Sequence, residues 1–253
     1  MSTTGVLVLR LAGPLQSWGA SSRFTRRTTE SAPTKSGVIG LLAAAAGIER
    51  GDDEALAPLA ALRFGVRIDQ PGTRIRDFHT AHHAATGKSM PLSERFYLAD
   101  AVFVAALEGE HTLLTRLHTA LRNPVYPSFL GRRSCPPSGP VDLALHHGTR
   151  LEDALRTVPW QASAWYRRRH RHTPPDRLTV LREQAASDPT ATDTLRDQPL
   201  SFSATHRRHA LRSIVTEQVP LALSPGLKDT RAAHDPFEAL SDDFTDVLDE
   251  EGA

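Results

Sequence analysis

The chain has 253 residues, with 30 Lys and Arg against 29 Asp and Glu, and a single cysteine, Cys135. This length fits one elaborated domain or two small ones, and the lone cysteine excludes a disulfide scaffold. Apolar residues make up 40% and charged residues 23%, which excludes wholesale disorder. No apolar run approaches the roughly 18 residues of a membrane helix. Because Val6–Leu15 lacks the basic leader of a signal peptide, we expect a cytoplasmic protein without membrane contact.

The formal net charge of +1 conceals an uneven distribution. Residues 235–253 contain eight acids and no Lys or Arg, so residues 1–234 carry 30 basic and 21 acidic groups, a net charge of +9. We expect the acidic segment to be a mobile tail. Of the basic residues 27 are Arg and three are Lys. Guanidinium groups pair with phosphates and stack on bases, so the excess of arginine favours an RNA partner. A codon bias is the other explanation for this excess.

The predicted elements alternate between strands and helices. The apolar run Val6–Leu11 predicts a strand, and Val38–Ile48 predicts a helix that Thr34 or Ser36 caps. Leu62–Ile68 alternates as a strand with one exposed face does. A polar excursion at about 69–94 follows, too long for a simple connection. The pattern then predicts a strand over Tyr97–Leu107, a helix over His111–Leu121, a loop over Asn123–Pro140 and a strand over Val141–Leu145.

This βαββαβ order predicts an α+β fold with the ferredoxin-like topology that RNA-recognition modules share. We assign residues 1–150 to it and residues 151–234 to a smaller β-rich part. In that part Arg177–Arg182 and Ala210–Val219 are expected to close a second, smaller sheet, and Ala185–Pro199 to form a polar loop.

The segment Pro33–Gly37 begins the predicted first helix. Its Lys-Ser pair lacks the preceding glycine of a nucleotide-binding P-loop, so it carries no NTPase signature. Free backbone amides at a helix start hold a phosphate well, and three arginines lie just upstream; a plain helix cap is the alternative. The candidate phosphate ligands are Arg23, Arg26, Arg27, Thr34, Lys35 and Ser36.

Residues 74–83 interleave arginines, an aromatic residue and histidines, a composition that suits contact with RNA. The RNA-contact candidates here are Arg74, Arg76 and His79. No Cys or well-spaced carboxylate accompanies the histidines, so we expect no metal site. Metal-independent RNA cleavage needs a general base and a cation near a 2′-hydroxyl. His79, His82 or His83 with Lys35 or an Arg supplies these groups, and this alternative stays open.

Two later segments are also strongly basic. Leu130–Pro136 places Arg132 and Arg133 in a Gly- and Pro-containing loop beside Cys135, which we expect to be an inert, partly buried thiol. The segment Trp165–His172 begins with two aromatic residues and continues with six basic or titratable ones. This composition is typical of an RNA or protein docking patch, or of a solvated charge run.

Five motifs occur in the order of a known family. The runs Leu9–Gly19, Pro33–Leu42, Gly47–Arg50, Arg76–Thr80 and Leu130–Pro136 resemble the CasD family of type I-E CRISPR Cascade subunits. The resemblance implies a RAMP-superfamily protein with a ferredoxin-like palm. It also implies a long thumb between the second and third strands, at about 69–96.

The resemblance further implies a non-catalytic subunit without a cofactor. It binds the 5′ handle of CRISPR RNA (crRNA) and caps the backbone filament beside the large PAM-reading subunit. Target DNA is reached through the complex. By this resemblance, the upstream arginines and the helix start hold handle phosphates, and Arg74–His79 contacts RNA. Arg132 and Arg133 contact the handle or a neighbouring subunit. Trp18 stacks on a base or is buried. A metal-independent endoribonuclease that processes repeat RNA is the first alternative, and a stand-alone RNA-binding or scaffold protein is the second.

Overall fold

The computed structural model describes residues 4–19, 26–185, 188 and 193–221. Arg23 and the acidic segment 235–253 lie outside these residues. The fold is α+β with mostly antiparallel strands, as predicted. The strands are β1 (Thr4–Ala12), β2 (Leu15–Gln16), β3 (Arg26–Arg27), β4 (Arg63–Gln70), β5 (Thr73–His79), β6 (Ser93–Ala99), β7 (Val102–Glu110), β8 (Asp142–His147), β9 (Arg177–Glu183), β10 (Asp193–Ser201) and β11 (Arg208–Pro220). The helices are α1 (Lys35–Ala45), α2 (Asp53–Ala60), α3 (His111–Arg122), α4 (Leu151–Thr157) and α5 (Ala164–Arg169). Over the described residues no helix is long and apolar enough to cross a membrane.

Seven strands form the main sheet in the order β10-β11-β9-β4-β7-β1-β8, and every neighbouring pair is antiparallel. The four strands predicted in the first part of the chain lie next to one another in it, as β4-β7-β1-β8. β1 pairs with β7 along its whole length, from Thr4 opposite Glu110 to Ala12 opposite Val102.

Both faces of the central strands are covered, which explains why β1 reads as an almost continuous apolar run. Side chains alternate between the two faces of a strand. Leu7 and Leu9 pack in one core with α1, α2 and α3. Val6 and Val8 pack in a second core with α4 and the start of β9. A strand buried on both sides needs apolar residues at every position.

The predicted second sheet is wrong, because the C-terminal strands extend the main sheet. β9 pairs with β4, with Leu181 opposite Val66, and β11 pairs with β9. Without β9 the backbone N–H and C=O groups of β4 would lie unpaired at a sheet edge. The predicted polar loop Ala185–Pro199 is wrong over its last part, where β10 begins at Asp193 and pairs with β11.

The predicted strand Tyr97–Leu107 is two strands in two sheets. β6 ends at Ala99, Asp100 adopts a left-handed φ of 56°, and β7 then enters the main sheet. The excursion before it is largely a hairpin, because β5 pairs with β6 from Thr73 opposite Ala99 to His79 opposite Ser93. β2 and β3 flank β6 and complete a small second sheet. That hairpin leaves the main sheet at the end of β4.

Candidate RNA-binding site

One face of the small sheet carries arginine and aromatic side chains. Across the hairpin Arg76 lies opposite Phe96 and Phe78 opposite Glu94, and β3 places Arg26 beside Glu94. Residues opposite one another share a face of the sheet, as do residues two positions apart. We call this surface the cation–aromatic face; its members are Arg26, Arg74, Arg76, Phe78, Glu94 and Phe96.

The arginines of the cation–aromatic face stack on its rings. The guanidinium carbons of Arg74 and Arg26 lie 4.6 Å and 5.3 Å from the ring centre of Phe96. That of Arg76 lies 4.9 Å from the ring centre of Phe78. Each such contact contributes about 0.5–1 kcal/mol at an exposed site. The stacking restricts flexible side chains, so less rotamer entropy is lost when a ligand binds.

Glu94 balances only part of the charge of this face. Arg76 Nη1 donates to Glu94 Oε1 at 3.4 Å, and Arg26 Nε lies 3.7 Å from Glu94 Oε2. Three arginines against one carboxylate leave a formal charge of +2. The side chains of Arg26 and Arg76 are 66% and 54% exposed, and Phe78 is half exposed. Exposed guanidinium groups beside an exposed ring can contact phosphates and stack on bases of a single strand.

Arg132 connects the loop after α3 to the other side of the small sheet. Its guanidinium lies 4.7 Å from the ring centre of Tyr97, and Nη2 donates to the carbonyl oxygen of Arg27 at 2.9 Å. The side chain therefore holds β3 against β6. Arg27, on β3, and Arg133, in the loop after α3, are both exposed. RNA contacts by Arg27, Arg132 and Arg133 stay predictions.

At the start of α1, where the sequence predicts a phosphate site, the chain's own carboxylates contact the donors of Lys35, which argues against that prediction. The backbone N–H of Lys35 donates to Asp197 Oδ2 at 2.7 Å, and Lys35 Nζ lies 2.8 Å from Glu183 Oε1. The Lys35 side chain is 3% exposed. Burial lowers the pKa of its ammonium group, and Glu183 partly opposes that shift. A helix N-terminus attracts a carboxylate as it does a phosphate.

Thr34 acts as the helix cap that the sequence predicts. Its Oγ1 accepts the backbone N–H of Gly37 at 3.3 Å, and the residue is buried. This burial argues against the RNA contact predicted for Thr34. The contact predicted for Ser36, which is partly buried on the first turn, stays a prediction.

Trp18 does not stack on a base, because its side chain is fully buried. Its Nε1 donates to Gln16 Oε1 at 3.0 Å. A Cβ at Gly37 would approach its ring to 2.8 Å, so α1 begins directly against the indole. The buried, buttressing alternative for Trp18 is confirmed. Within the motif Leu9–Gly19, Trp18 therefore packs in the core.

The histidines lie in the exposed outer part of the hairpin. His79 ends β5, and His82 Nδ1 lies 3.2 Å from the carbonyl oxygen of Gly87. Within the described ranges no three His, Cys, Asp or Glu side chains are grouped to hold a metal. Cys135 is buried, and burial raises the pKa of its thiol, which agrees with an inert role.

Sequence reasoning missed Glu94 and Phe96. It placed the strand at Tyr97–Leu107, which left both residues outside any predicted strand or helix. A signal is present in the run Phe96–Leu98, where two aromatic residues and a leucine follow one another. Aromatic residues are enriched in strands.

Known proteins are similar to this chain in sequence and fold. Residues 6–215 match the family described as CRISPR-associated protein (Cas_Cas5). Over 167 residues the chain is 35% identical to an Escherichia coli (strain K12) protein described as CRISPR system Cascade subunit CasD, and the match covers 59% of this chain and 75% of the relative.

Two solved structures superpose over most of the chain. One, described as a crystal structure of a Cas protein, has a TM-score of 0.67 at 37% identity, and the match covers 87% of this chain and 98% of that one. The other, described as a CRISPR RNA-guided surveillance complex, has a TM-score of 0.65 at 33% identity, with 87% and 93% covered.

Fold and site together define an α+β protein with an exposed arginine and aromatic surface on a hairpin. The chain belongs to the Cas5 family of CRISPR-associated proteins, since the family match spans most of its length. The resemblance to CasD that the five motifs predict is confirmed.

Proposed function

We propose that this chain is the Cascade subunit that binds the 5′ handle of crRNA in CRISPR interference, and that the cation–aromatic face makes the contact. The observation that carries the proposal is the stacking of three arginines on Phe78 and Phe96. The similarity to a relative described as a Cascade subunit supports the assignment to Cascade.

The finer fold assignment belongs to the same proposal. We assign β4-β7-β1-β8 with α1 and α3 to a ferredoxin-like palm, supported by that antiparallel strand order and by one core shared with both helices. The β5–β6 hairpin is then the thumb, which leaves the palm between its second and third strands.

The arginines and the aromatic ring of the cation–aromatic face suit different parts of an RNA strand. A guanidinium group has five N–H donors, and in Arg76 the described hydrogen bonds engage only one of them, with Glu94. The remaining donors are available to phosphate oxygens, which position the strand without reading its sequence. The exposed ring of Phe78 offers a stacking surface to a base turned out of the strand.

We propose a non-enzymatic role for this chain. Cleavage would pair a thumb histidine with a cation, and Lys35 is the lysine that the alternative requires for it. Lys35 is buried against Glu183 in the main body, which argues against that pairing.

The remaining partners are proposed on the same basis. They are the backbone filament subunit, the large PAM-reading subunit and, through the complex, target DNA. A structure described as a CRISPR RNA-guided surveillance complex contains a chain of this fold, which supports assembly with other subunits. A cytoplasmic setting stays a prediction.

The test measures binding and cleavage of RNA by the purified full chain without metal. The double variant R74A/R76A should weaken binding of 5′-labelled handle RNA about tenfold or more, because the variant lacks two charge-assisted hydrogen-bonding groups. R116A/R122A removes the same charge from exposed positions on α3 and should bind like wild type. Cleavage within repeat RNA that H79A/H82A/H83A abolishes would favour the endoribonuclease alternative.

A further inference from the structure

The short helix α5 carries a basic and aromatic surface that the proposed handle site does not use. We call it the α5 surface; its members are Trp165, Arg167, Arg168 and Arg169. The three arginines are exposed, and Trp165 is 44% exposed, which is unusual for a side chain that a core normally takes up. No described contact on the cation–aromatic face involves these residues.

Helix α5 is firmly attached to the point where the thumb hairpin leaves the main sheet. The backbone N–H and the Oγ of Ser163, which precedes the helix, donate to Gln70 Oε1 at 3.1 Å and 2.8 Å. Gln70 is the last residue of β4, and β5 begins at Thr73. Trp160 Nε1 donates to the carbonyl oxygen of Asp69 at 2.9 Å. The α5 surface is therefore positioned at the base of the thumb.

Packing of the helix is made mainly by Tyr166, whose ring the Trp165 ring also meets edge-on at 5.6 Å. The Tyr166 ring lies edge-on to Trp160 at 6.1 Å and packs against the second core. His170, one turn further on, lies 4.3 Å from the Tyr166 ring. The α5 arginines are thus not required to hold the helix in place, and their charge needs another explanation.

The positive charge of the α5 surface has no counter-charge among the residues that the structure describes. Among the described residues no carboxylate lies within ion-pair distance of Arg167, Arg168 or Arg169. Arg10, which interacts electrostatically with Arg167, donates to the carbonyl oxygen of Gln161 at 3.4 Å. The pKa of Arg10 is lowered by burial, and Arg167 adds repulsion between like charges, which Asp69 opposes. A bound polyanion would relieve this repulsion.

We infer that the α5 surface binds a second stretch of single-stranded RNA, next to the stretch held by the cation–aromatic face. This inference rests on the proposed function, because both surfaces would hold one strand. The exposed indole ring favours a single strand, since bases inside a duplex do not offer their faces for stacking. Adjacent arginines that point away from the core suit phosphates at successive nucleotides.

The experiment compares two RNAs that share the repeat-derived 5′ end, one of about 8 and one of about 24 nucleotides. Wild-type full chain should bind the longer RNA more tightly. The variant R167A/R168A/R169A should remove that gain, about tenfold, and leave the shorter RNA unaffected. Because this variant neutralises three fewer phosphates, the slope of log K against log salt should become shallower by about 2 for the longer RNA. W165A should weaken the longer RNA about fivefold or more.

The control R116A/R122A/R156A removes the same formal charge from exposed positions on α3 and α4. It should retain the gain with the longer RNA, and an equal loss in the control would overturn the inference. Unchanged binding of the longer RNA by the α5 variant would overturn it while leaving the handle proposal intact. Loss of both RNAs, or an effect seen only with duplex DNA, would also overturn it. Failure of wild type to bind either RNA would instead refute the proposed function.

Discussion

At the residue scale, the buried pair Arg67 and Asp69 ties the main sheet to the segment after α4. Both side chains are fully buried. Arg67 Nε and Nη2 donate to the Asp69 carboxylate at 2.7 Å and 3.0 Å. The other three N–H groups meet the carbonyl oxygens of Leu155, Val158 and Pro159, at 2.6–3.0 Å. All five donors of the guanidinium are therefore satisfied.

Replacing either partner of this pair should destabilise the protein strongly. R67M leaves the Asp69 carboxylate buried without its cation, and losing one partner of a buried pair costs about 3–5 kcal/mol. R156A, which breaks the exposed Arg156–Asp153 pair on α4, should cost about 0–1 kcal/mol. Urea unfolding of both variants measures the difference. Equal free energies of unfolding would show that the buried pair does not support the junction.

His209 should make stability fall on mild acidification. Burial lowers the pKa of its imidazole, and Arg207 lowers it further. In the unfolded chain the pKa is about 6.5, so between the folded pKa and about 6.5 the unfolded state binds more protons. Stability is therefore retained above about pH 6.5 and lost as the pH falls toward the folded pKa.

The variant H209Q isolates this contribution. Free energies of unfolding at pH 7.5 and pH 5 should differ less in H209Q than in wild type. A larger or equal pH dependence in the variant would contradict the assignment to His209, because glutamine does not titrate.

At the residue scale, sequence reasoning can use groups that are close in the chain but misses partners that are distant. Arg74, Arg76 and Phe78 lie two positions apart and share one face of β5, a strand that the sequence analysis did not predict. Lys35 reads as a phosphate ligand because Glu183 and Asp197, which neutralise it, lie far along the chain. No local pattern reports such a partner.

At the element scale, the outer part of the thumb is held by its own contacts. Every residue from Thr80 to Leu92 is exposed. Its described hydrogen bonds join members of the same segment, such as His83 N–H to the carbonyl oxygen of Lys88 and Met90 N–H to that of Ala81. The segment closes on itself and adds little to the main body.

Replacing residues 80–92 by Asn-Gly should therefore preserve the fold. An Asn-Gly turn joins two antiparallel strands without strain, so β5 and β6 keep the cation–aromatic face. The thermal midpoint should change by less than about 4 °C, the shift that corresponds to roughly 1 kcal/mol or less. Handle RNA should bind within a few-fold of wild type, unlike R74A/R76A. A large loss of stability would show that the tip supports the sheet.

Predictability of the elements depended on how far apart the paired residues lie. β1, α1 and α3 carry strong periodic patterns and appear where the sequence places them. The break at Asp100 was missed because apolar residues lie on both sides of it, in β6 and in β7. The place of β9 beside β4 was missed because periodicity identifies a strand but not its neighbour.

At the scale of the whole molecule, the second core makes the first 150 residues dependent on the rest. Val6, Val8 and Val104 on the central strands are fully buried under side chains of α4 and β9. Exposing a fully buried valine costs about 1.5–3 kcal/mol. Three of them account for about 5–9 kcal/mol, as much as the whole stability of many domains, about 5–15 kcal/mol.

A fragment of residues 1–150 should consequently fail to fold, although it contains all four strands of the proposed palm. It would also leave Lys35 buried without Glu183, and Arg67 without its carbonyl acceptors in and after α4. Circular dichroism on heating should show no cooperative transition for the fragment and a clear one for the full chain. A cooperative transition in the fragment would mean that the palm folds alone and that β9–β11 only extend it. Because the arginines of the cation–aromatic face depend on a hairpin that starts from β4, the fragment should also bind handle RNA without the R74A/R76A dependence of the full chain.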